Sequence, residues 1–197
     1  MQYWDGTQWQ VVPVIQPDPN IKPTLALCEG VPTWVLYYCP GTSPYTIGET
    51  GPAGGKVFYV TDGGLHGLEA APVDQSIGTF WGCDIGSIPG AQGTAVGTGA
   101  ANTAAILAAG CPIVGAAKIA DAYVFKGYSD WFLPSSEELN LLYAQKDVLG
   151  GFVNDLYWSS SEFNDSNARG QGFNNGSQGY WSKDSTNGLT VRAIRTF

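Results

Sequence analysis

Residues 127–143 read G-Y-S-D-W-F-L-P-S-S-E-E-L-N-L-L-Y. They predict a turn, a short buried strand and a capped helix in immediate succession. Trp131, Phe132 and Leu133 are an apolar run, and Pro134 ends it because proline has no N–H to continue a ladder. Ser135 suits an N-cap, and Glu138 stands three residues on, which makes a capping box. Glu137 and Glu138 also favour the positive end of the helix dipole. Leu139, Leu142 and Tyr143 recur at helical spacing and need a core to face, in a helix that runs to about Lys146. Asp130, Glu137 and Glu138 admit a second reading as an acidic site, but turn and capping roles account for them more simply.

Outward from this stretch, composition bounds the class. The chain has 197 residues, 44% of them apolar, which is ample for a core and suits one main domain with an appendage. Glycines and aromatics are abundant and charged residues are only 13%, a balance that fits a loop-rich extracellular domain better than a cytosolic enzyme. The net charge of −8 argues against nucleic acid, whose phosphates need a basic footprint. From Asp165 onward, however, Arg169, Lys183, Arg192 and Arg195 stand against Asp165 and Asp184, which leaves room for a local anionic-ligand site. No apolar run reaches the ~20 residues of a membrane helix. Met1 does not open a signal peptide, so the chain reads as a fragment of a longer secreted protein.

Residues 1–14 read as a β-hairpin about Asp5-Gly6, a type I′ turn signal. Tyr3, Trp4 and Trp9 would be a carbohydrate-stacking platform or, preferably, a packing face, since a lone hairpin is marginal. Residues 16–23 are a proline-rich linker. It contains Q-P-D, a tripeptide of galactose-preferring lectins, but outside the loop where such a motif acts. Cys28 and Cys39 flank a turn and a strand at 34–38, and Cys83 and Cys111 flank a glycine-rich segment. Four cysteines allow three connectivities, of which the sequential one, Cys28–Cys39 and Cys83–Cys111, is expected. Closing so short a loop as 28–39 contributes about 3 kcal/mol. Paired disulfides imply an oxidising compartment. Zinc is the rival, but there is no C-x-x-C and the one histidine is His66.

The main domain opens near Tyr45. G-P-A-G-G at 51–55 is a turn, since one triplet cannot make a collagen helix. A strand at 56–61, a turn at Asp62-Gly63-Gly64 and an arm at 65–71 complete a hairpin. G-T-G-A-A-N at 97–102 lacks the third glycine of a dinucleotide fingerprint and reads as the start of a helix at 100–109. A second helical stretch is expected over 113–125. Residues 157–161 start a strand. The run that follows is dense in Asn, Ser, Gln and Gly with interspersed aromatics, the composition of paratopes and also of solvated turns. Asn175-Gly176 is a hairpin turn signal. Residues 189–197 form the closing strand, whose Arg192 and Arg195 either approach the aromatic cluster or pair with acids.

Three ordered motifs carry a resemblance: G-Y-S-D-W-F-L-P-S-S-E-E-L at 127–139, Y-W-S-S-S-E-F at 157–163 and V-R-A-I-R at 191–195. Together they resemble the Lcl C-terminal-domain family, long catalogued as a bacterial domain of unknown function and named for a collagen-like adhesin. The resemblance runs from about Tyr45 to Phe197. It implies an α+β, C-type-lectin-like fold of mixed and antiparallel sheets with two or three helices, preceded by the hairpin (1–15) and the linker with its cysteine loop (16–44). It also implies a secreted or cell-surface adhesion module at the tip of a fibre, homotrimeric on a collagen-like stalk and binding sulfated glycans. In such folds the ligand face lies near the C-terminal end. The ligand residues expected on that basis are Asn164, Asp165, Asn167, Arg169, Gln171, Asn174, Asn175, Gln178, Tyr180, Trp181, Lys183 and Asp184. Some members of the superfamily are diversified there by retroelements, and the asparagine-rich run is compatible with that. F-N-D at 163–165 sits where calcium-dependent lectins carry W-N-D. With Glu162, residues Asn164 and Asp165 offer oxygen ligands for calcium, although the upstream half of such a site is missing.

Two other functions compete. The domain could be a trimerising cap for a fibre, with no ligand and the aromatic hairpin as its assembly surface. An enzyme would need a carboxylate pair such as Glu69 with Asp74 or Glu137 with Glu162. There is no G-x-S-x-G, H-E-x-x-H or P-loop, and His66 stands alone. The expectation is therefore a binding module, with a glycan or a cell-surface protein as partner and neither nucleic acid nor membrane insertion.

Overall fold

The computed structural model describes residues 44–82, 86–111, 114–184 and 188–197, and the backbone alone of residues 2–4, 9–11, 24–28 and 31–35. The chain divides into two units, Met1–Ser43 and Pro44–Phe197.

In the first unit, β1 (Gln2–Trp4) pairs antiparallel with β2 (Trp9–Val11), and Trp4 stands opposite Trp9. Four residues thus separate the last pair, where a type I′ turn would leave two. A second hairpin joins β3 (Thr24–Cys28) to β4 (Val31–Val35). Trp34 and Val35, expected to begin a strand, end one. The rest of that expected strand, the linker with its Q-P-D, and Cys39 lie outside the described residues, as do the side chains of Tyr3, Trp4, Trp9 and Cys28.

The second unit is α+β. The strands β5 (Lys56–Thr61) and β6 (His66–Ala70) form the expected hairpin, joined by a 3-10 turn at Asp62–Gly64. β7 (Ser76–Thr79), α1 (Gly99–Ala108), α2 (Ala116–Asp121), α3 (Ser136–Ala144) and α4 (Lys146–Leu149) follow. Then come β8 (Leu156–Glu162), β9 (Asn167–Gly172), β10 (Gln178–Ser182), β11 (Leu189–Val191) and β12 (Ile194–Thr196). One sheet has the order β10-β9-β8-β11-β7 and the other β12-β6-β5. Cys111 is disulfide-bonded; its expected partner, Cys83, lies outside the described residues.

The opening stretch behaves as its local chemistry dictates. Ser135 Oγ accepts from the Glu138 N–H at 3.3 Å, and the Glu138 carboxylate accepts from the Ser135 N–H at 2.7 Å, so the capping box is closed. Glu138 also accepts from the Gly97 N–H at 2.8 Å, which ties the approach to α1 onto the start of α3. Trp131, Phe132 and Leu133 are buried, but only Phe132 joins a ladder, in a single bridge to Ile194. The second helix is shorter than its alanines suggested. Phe125 and Tyr128 exchange two backbone bonds of 3.0 Å across Lys126 and Gly127, whose φ values of +49° and +86° make a type I′ turn. That turn takes Phe125 out of any helix.

The closing strand is two strands. β11 runs parallel to β8 and antiparallel to β7, whereas β12 pairs with β6 in the other sheet. The change of sheet falls at Arg192-Ala193. Arg192 is buried there and donates through Nε to Asp74 at 2.7 Å. Arg195 bonds Glu69 at 2.7 Å and grips both oxygens of Asp130 at 2.8 Å. Both arginines therefore pair with acids, and each also lies over an aromatic ring, Arg192 at 4.1 Å from the Phe152 centroid and Arg195 at 4.5 Å from that of Tyr128. Glu69 also accepts from the N–H groups of Ala53 and Gly55 and so holds the glycine turn before β5.

Two apolar clusters fill the unit. One gathers Trp81, Trp131, Trp158, Ile106 and Val191 against the alanines of α2, and the other gathers Phe58, Leu139, Leu142, Tyr157 and Phe173 under α3. Each buried indole is satisfied: Trp81 Nε1 donates to the Ser159 carbonyl at 2.7 Å, Trp158 to Thr79 at 2.8 Å and Trp131 to Tyr128 at 3.2 Å.

Two outcomes are expected. Ser135→Ala removes the cap and lowers unfolding free energy by about 1–2 kcal/mol in chemical denaturation. Asp130, whose carboxyl the Arg195 guanidinium holds below its ordinary value, contributes stability above an unfolded pKa of about 4. That contribution is lost as pH falls through the lower folded value. Asp130 is half exposed, so Asp130→Asn costs less than about 1 kcal/mol at pH 7. The difference from wild type closes on acidification below about pH 4.

Candidate functional site

The strands β8, β9 and β10 form an antiparallel meander at one edge of the larger sheet. Its two connections are built from their own side chains. In the first, Asn164 Oδ1 accepts from the Ser166 N–H at 3.0 Å and the Asn167 N–H at 2.9 Å. In the second, Asn175 Oδ1 accepts from the Ser177 N–H at 3.0 Å, and Gly176 takes a φ of +78° that a side chain would resist.

Register decides which of the expected residues share a face. Tyr180 stands opposite Arg169, Gln178 opposite Gln171, and Ser182 opposite Asn167. These six therefore point to one side. There the Phe163 ring stacks on Tyr180, with centroids 4.2 Å apart and planes at 9°. The Arg169 guanidinium lies 5.1 Å from the Phe163 centroid. Tyr180 remains 57% exposed and Phe163 41%, so the pair presents apolar surface to solvent. Asn164, Asp165, Asn174, Asn175, Gln178 and Asp184 are also exposed, and Asn167 is half-buried.

Trp181 does not belong to this face. It pairs with Ala168 and packs against the tryptophan-rich core. Lys183 is not a surface cation either. It is fully buried and reaches Glu162, also fully buried, at 2.5 Å. The same ammonium donates to the Asp165 and Gly86 carbonyls at 3.0 Å each and lies 5.1 Å from the Trp81 ring centroid. Glu162 further accepts from Ser87 Oγ at 2.8 Å, from the Ile88 N–H at 2.9 Å and from Gln92. Burial alone would raise the Glu162 pKa, but the Lys183 bond and these other donors outweigh it and hold the carboxyl below its ordinary value. The pair thus bridges the loop at 86–92, the end of β8 and the segment after β10.

This geometry bears on calcium. The Lys183 ammonium sits where a cation bound by Glu162 would sit, and the Asn164 oxygen is spent on its own turn. Asp165 is the one member of the expected set whose side chain faces solvent uncommitted. Among the described residues no cluster of three His, Cys, Asp or Glu side chains is placed to hold a metal ion. The carboxylates considered for glycoside hydrolysis are each engaged or separated. Glu69 pairs with Arg195, and Asp74 pairs with Arg192 while accepting from Tyr157 Oη at 2.9 Å. Glu137 is exposed and Glu162 is buried.

The C-terminal cations are accordingly redistributed. Lys183, Arg192 and Arg195 are all internal and paired, which leaves Arg169 as the one cation of that segment without an ion pair among the described residues. The hairpin turn expected at Asn175-Gly176 joins the strands that carry Arg169 and Tyr180, whereas Phe163 was not among the expected ligand residues. Its position, four residues before the strand that carries Arg169, was the available signal. No helix of the described residues is long and apolar enough to cross a membrane. No protein-family model matches the chain, and neither does any curated protein sequence.

Lys183→Met would leave the Glu162 carboxylate buried without its counter-charge, at an expected cost of about 3–5 kcal/mol. The double variant Lys183→Met/Glu162→Gln removes both charges and recovers part of that loss, as a denaturation double-mutant cycle reads directly.

Proposed function

We propose that residues 44–197 are an extracellular ligand-binding module with a C-type-lectin-like fold of the Lcl C-terminal-domain kind. It stands at the tip of a bacterial or phage surface fibre, as a homotrimer, and engages a glycan or a protein on a cell surface. The observation that supports this reading is the exposed Phe163–Tyr180 stack with the unpaired Arg169 beside it. A half-exposed aromatic pair is costly to leave in water and is the usual anchor of a recognition surface, with Asn, Gln and Ser as adaptable neighbours. The surrounding asparagines are exposed on turns that Asn164 and Asn175 fix through their own Oδ1, which leaves the amide N–H groups of those two and the side chain of Asn174 for contact.

The site centre is the Phe163, Arg169 and Tyr180 group, with Asn164, Asp165, Asn167, Asn174, Asn175 and Gln178 at its rim. Calcium has no part in it, because Lys183 already neutralises Glu162. Glycan- and cell-binding assays of the purified chain test the assignment. Arg169→Ala and Tyr180→Ala are expected to reduce binding at least about tenfold, the loss of one anchor worth 1.4 kcal/mol or more. Melting temperature should stay nearly constant, since Tyr180 is exposed and Arg169 has no ion pair among the described residues. Undiminished binding by both variants would remove the site from this face.

A further inference from the structure

The larger sheet ends in β10 on one side and in β7 on the other. β10 carries Tyr180 and the candidate site. β7 borders an apolar face that nothing covers among the described residues. An open groove of about 540 Å³ runs there between α2 and the segment before β7, lined by Val73, Val114, Ile119 and Tyr123. Gln75 also lines it, and its N–H donates to the Val191 carbonyl, which continues the pairing of β7 with β11. Ile77 lies two residues on, so strand alternation sets it on the same side as Gln75. Val73 is 58% exposed, Val114 56% and Ile77 69%. Aliphatic side chains gathered in this way mark a contact surface, whereas single exposed ones do not.

β7 does not offer an edge for another strand to extend. Thr79 stands opposite Leu189 and Ser76 opposite Val191, so three steps on β7 match two on β11, and Gly78 takes a φ of +74°. Such a bulge turns the edge away from further pairing. A partner is therefore held by side chains, and their chemistry fits a second copy of this chain. At a net charge of −8 two copies repel each other, so they meet where unpaired acids are few. Asp74, at the groove, is already spent on Arg192 and Tyr157. Lys118 lines the groove, and Asp121 lies three residues on, on the same side of α2. Both are exposed, and neither makes an ion pair among the described residues. A base, an acid, a projecting isoleucine and an apolar groove side by side are complementary to a copy of themselves. Head-to-tail contact about a three-fold axis closes into a ring. It can bring Ile77 of each copy to the groove of the next, and Lys118 to the next copy's Asp121.

We propose that the α2 groove and β7 together form the subunit contact of the homotrimer, at the end of the sheet opposite the Phe163–Tyr180 face. The inference rests on the homotrimeric reading given above and names the surface that forms it. Light scattering and sedimentation of the full chain test it. Wild type should have three times the 20.9 kDa of one chain. Ile77→Lys should dissociate it to monomers with unchanged circular dichroism. Lys118→Glu sets like charges opposite each other and should weaken association roughly 10-fold or more. Lys118→Glu/Asp121→Lys exchanges the two signs and should restore it. A trimer that withstands both single substitutions, or a double variant no better than Lys118→Glu, would overturn the inference and leave the homotrimer standing on another surface. A monomeric or dimeric wild type would overturn both. The ligand-binding reading is judged apart from either, because Tyr180→Ala should abolish binding and leave the trimer intact.

Discussion

The last nine residues of the chain belong to two sheets, and the architecture depends on how they cross between them. Three residues complete the interior of the larger sheet, between β8 and β7. Three more complete the edge of the smaller one against β6. A crossing in the middle of a core exposes backbone and side chains that regular pairing would have satisfied. Arg192 and Arg195 meet that need. Arg192 bonds Asp74 and the Ala71 and Gly151 carbonyls, and Arg195 bonds Glu69 and Asp130. Their partners come from segments far apart in sequence, so the crossing also fastens the β5–β6 hairpin, the segment before β7 and the approach to α3. Buried ion pairs of this kind are weak sources of net stability but specify one arrangement, since breaking either leaves a charge with no partner.

Charge is used in the same way beneath the candidate site. Lys183 and Glu162 are internal, and the turn that carries Phe163 is held from below through the Asp165 carbonyl. Glu138 completes the scheme on the other side of α3. Burial raises its pKa, although donors from Ser135 and Gly97 counter part of the effect. The outer face is left with aromatic and amide groups on a support that does not need to rearrange. The one cation among them, Arg169, has no ion pair among the described residues.

Local chemistry made much of this legible. Ser135 and Glu138 lie within one turn of helix, and Asp62-Gly63-Gly64 marks the turn between the two hairpin arms. Asn175-Gly176 marks the β9–β10 turn for the same reason. What was not legible depended on partners distant in sequence. Lys183 reads as a solvent-facing cation because it stands between Ser182 and Asp184, and its partner Glu162 is twenty-one residues away. Trp181 and Tyr180 look equivalent until the strand register sends them to opposite sides. The run 189–197 reads as one strand because its composition is uniform, and the crossing at Arg192-Ala193 is imposed by sheets made elsewhere. The alanine-rich stretch before Phe125 promised a longer helix, but the turn at Lys126-Gly127 set the chain direction instead.

The burial of Lys183 has a consequence for resistance to proteolysis. A trypsin-like protease must insert a basic side chain into its specificity pocket and draw several flanking residues into an extended strand. In the polar segment from 164 to 184, the basic residues are Arg169 and Lys183 alone. Arg169 lies in β9, the strand between β8 and β10, where it pairs with Tyr180, and Lys183 has no exposed side-chain surface. A region that its composition would mark as the most digestible part of the domain thus offers such enzymes no accessible cleavage point while the domain stays folded.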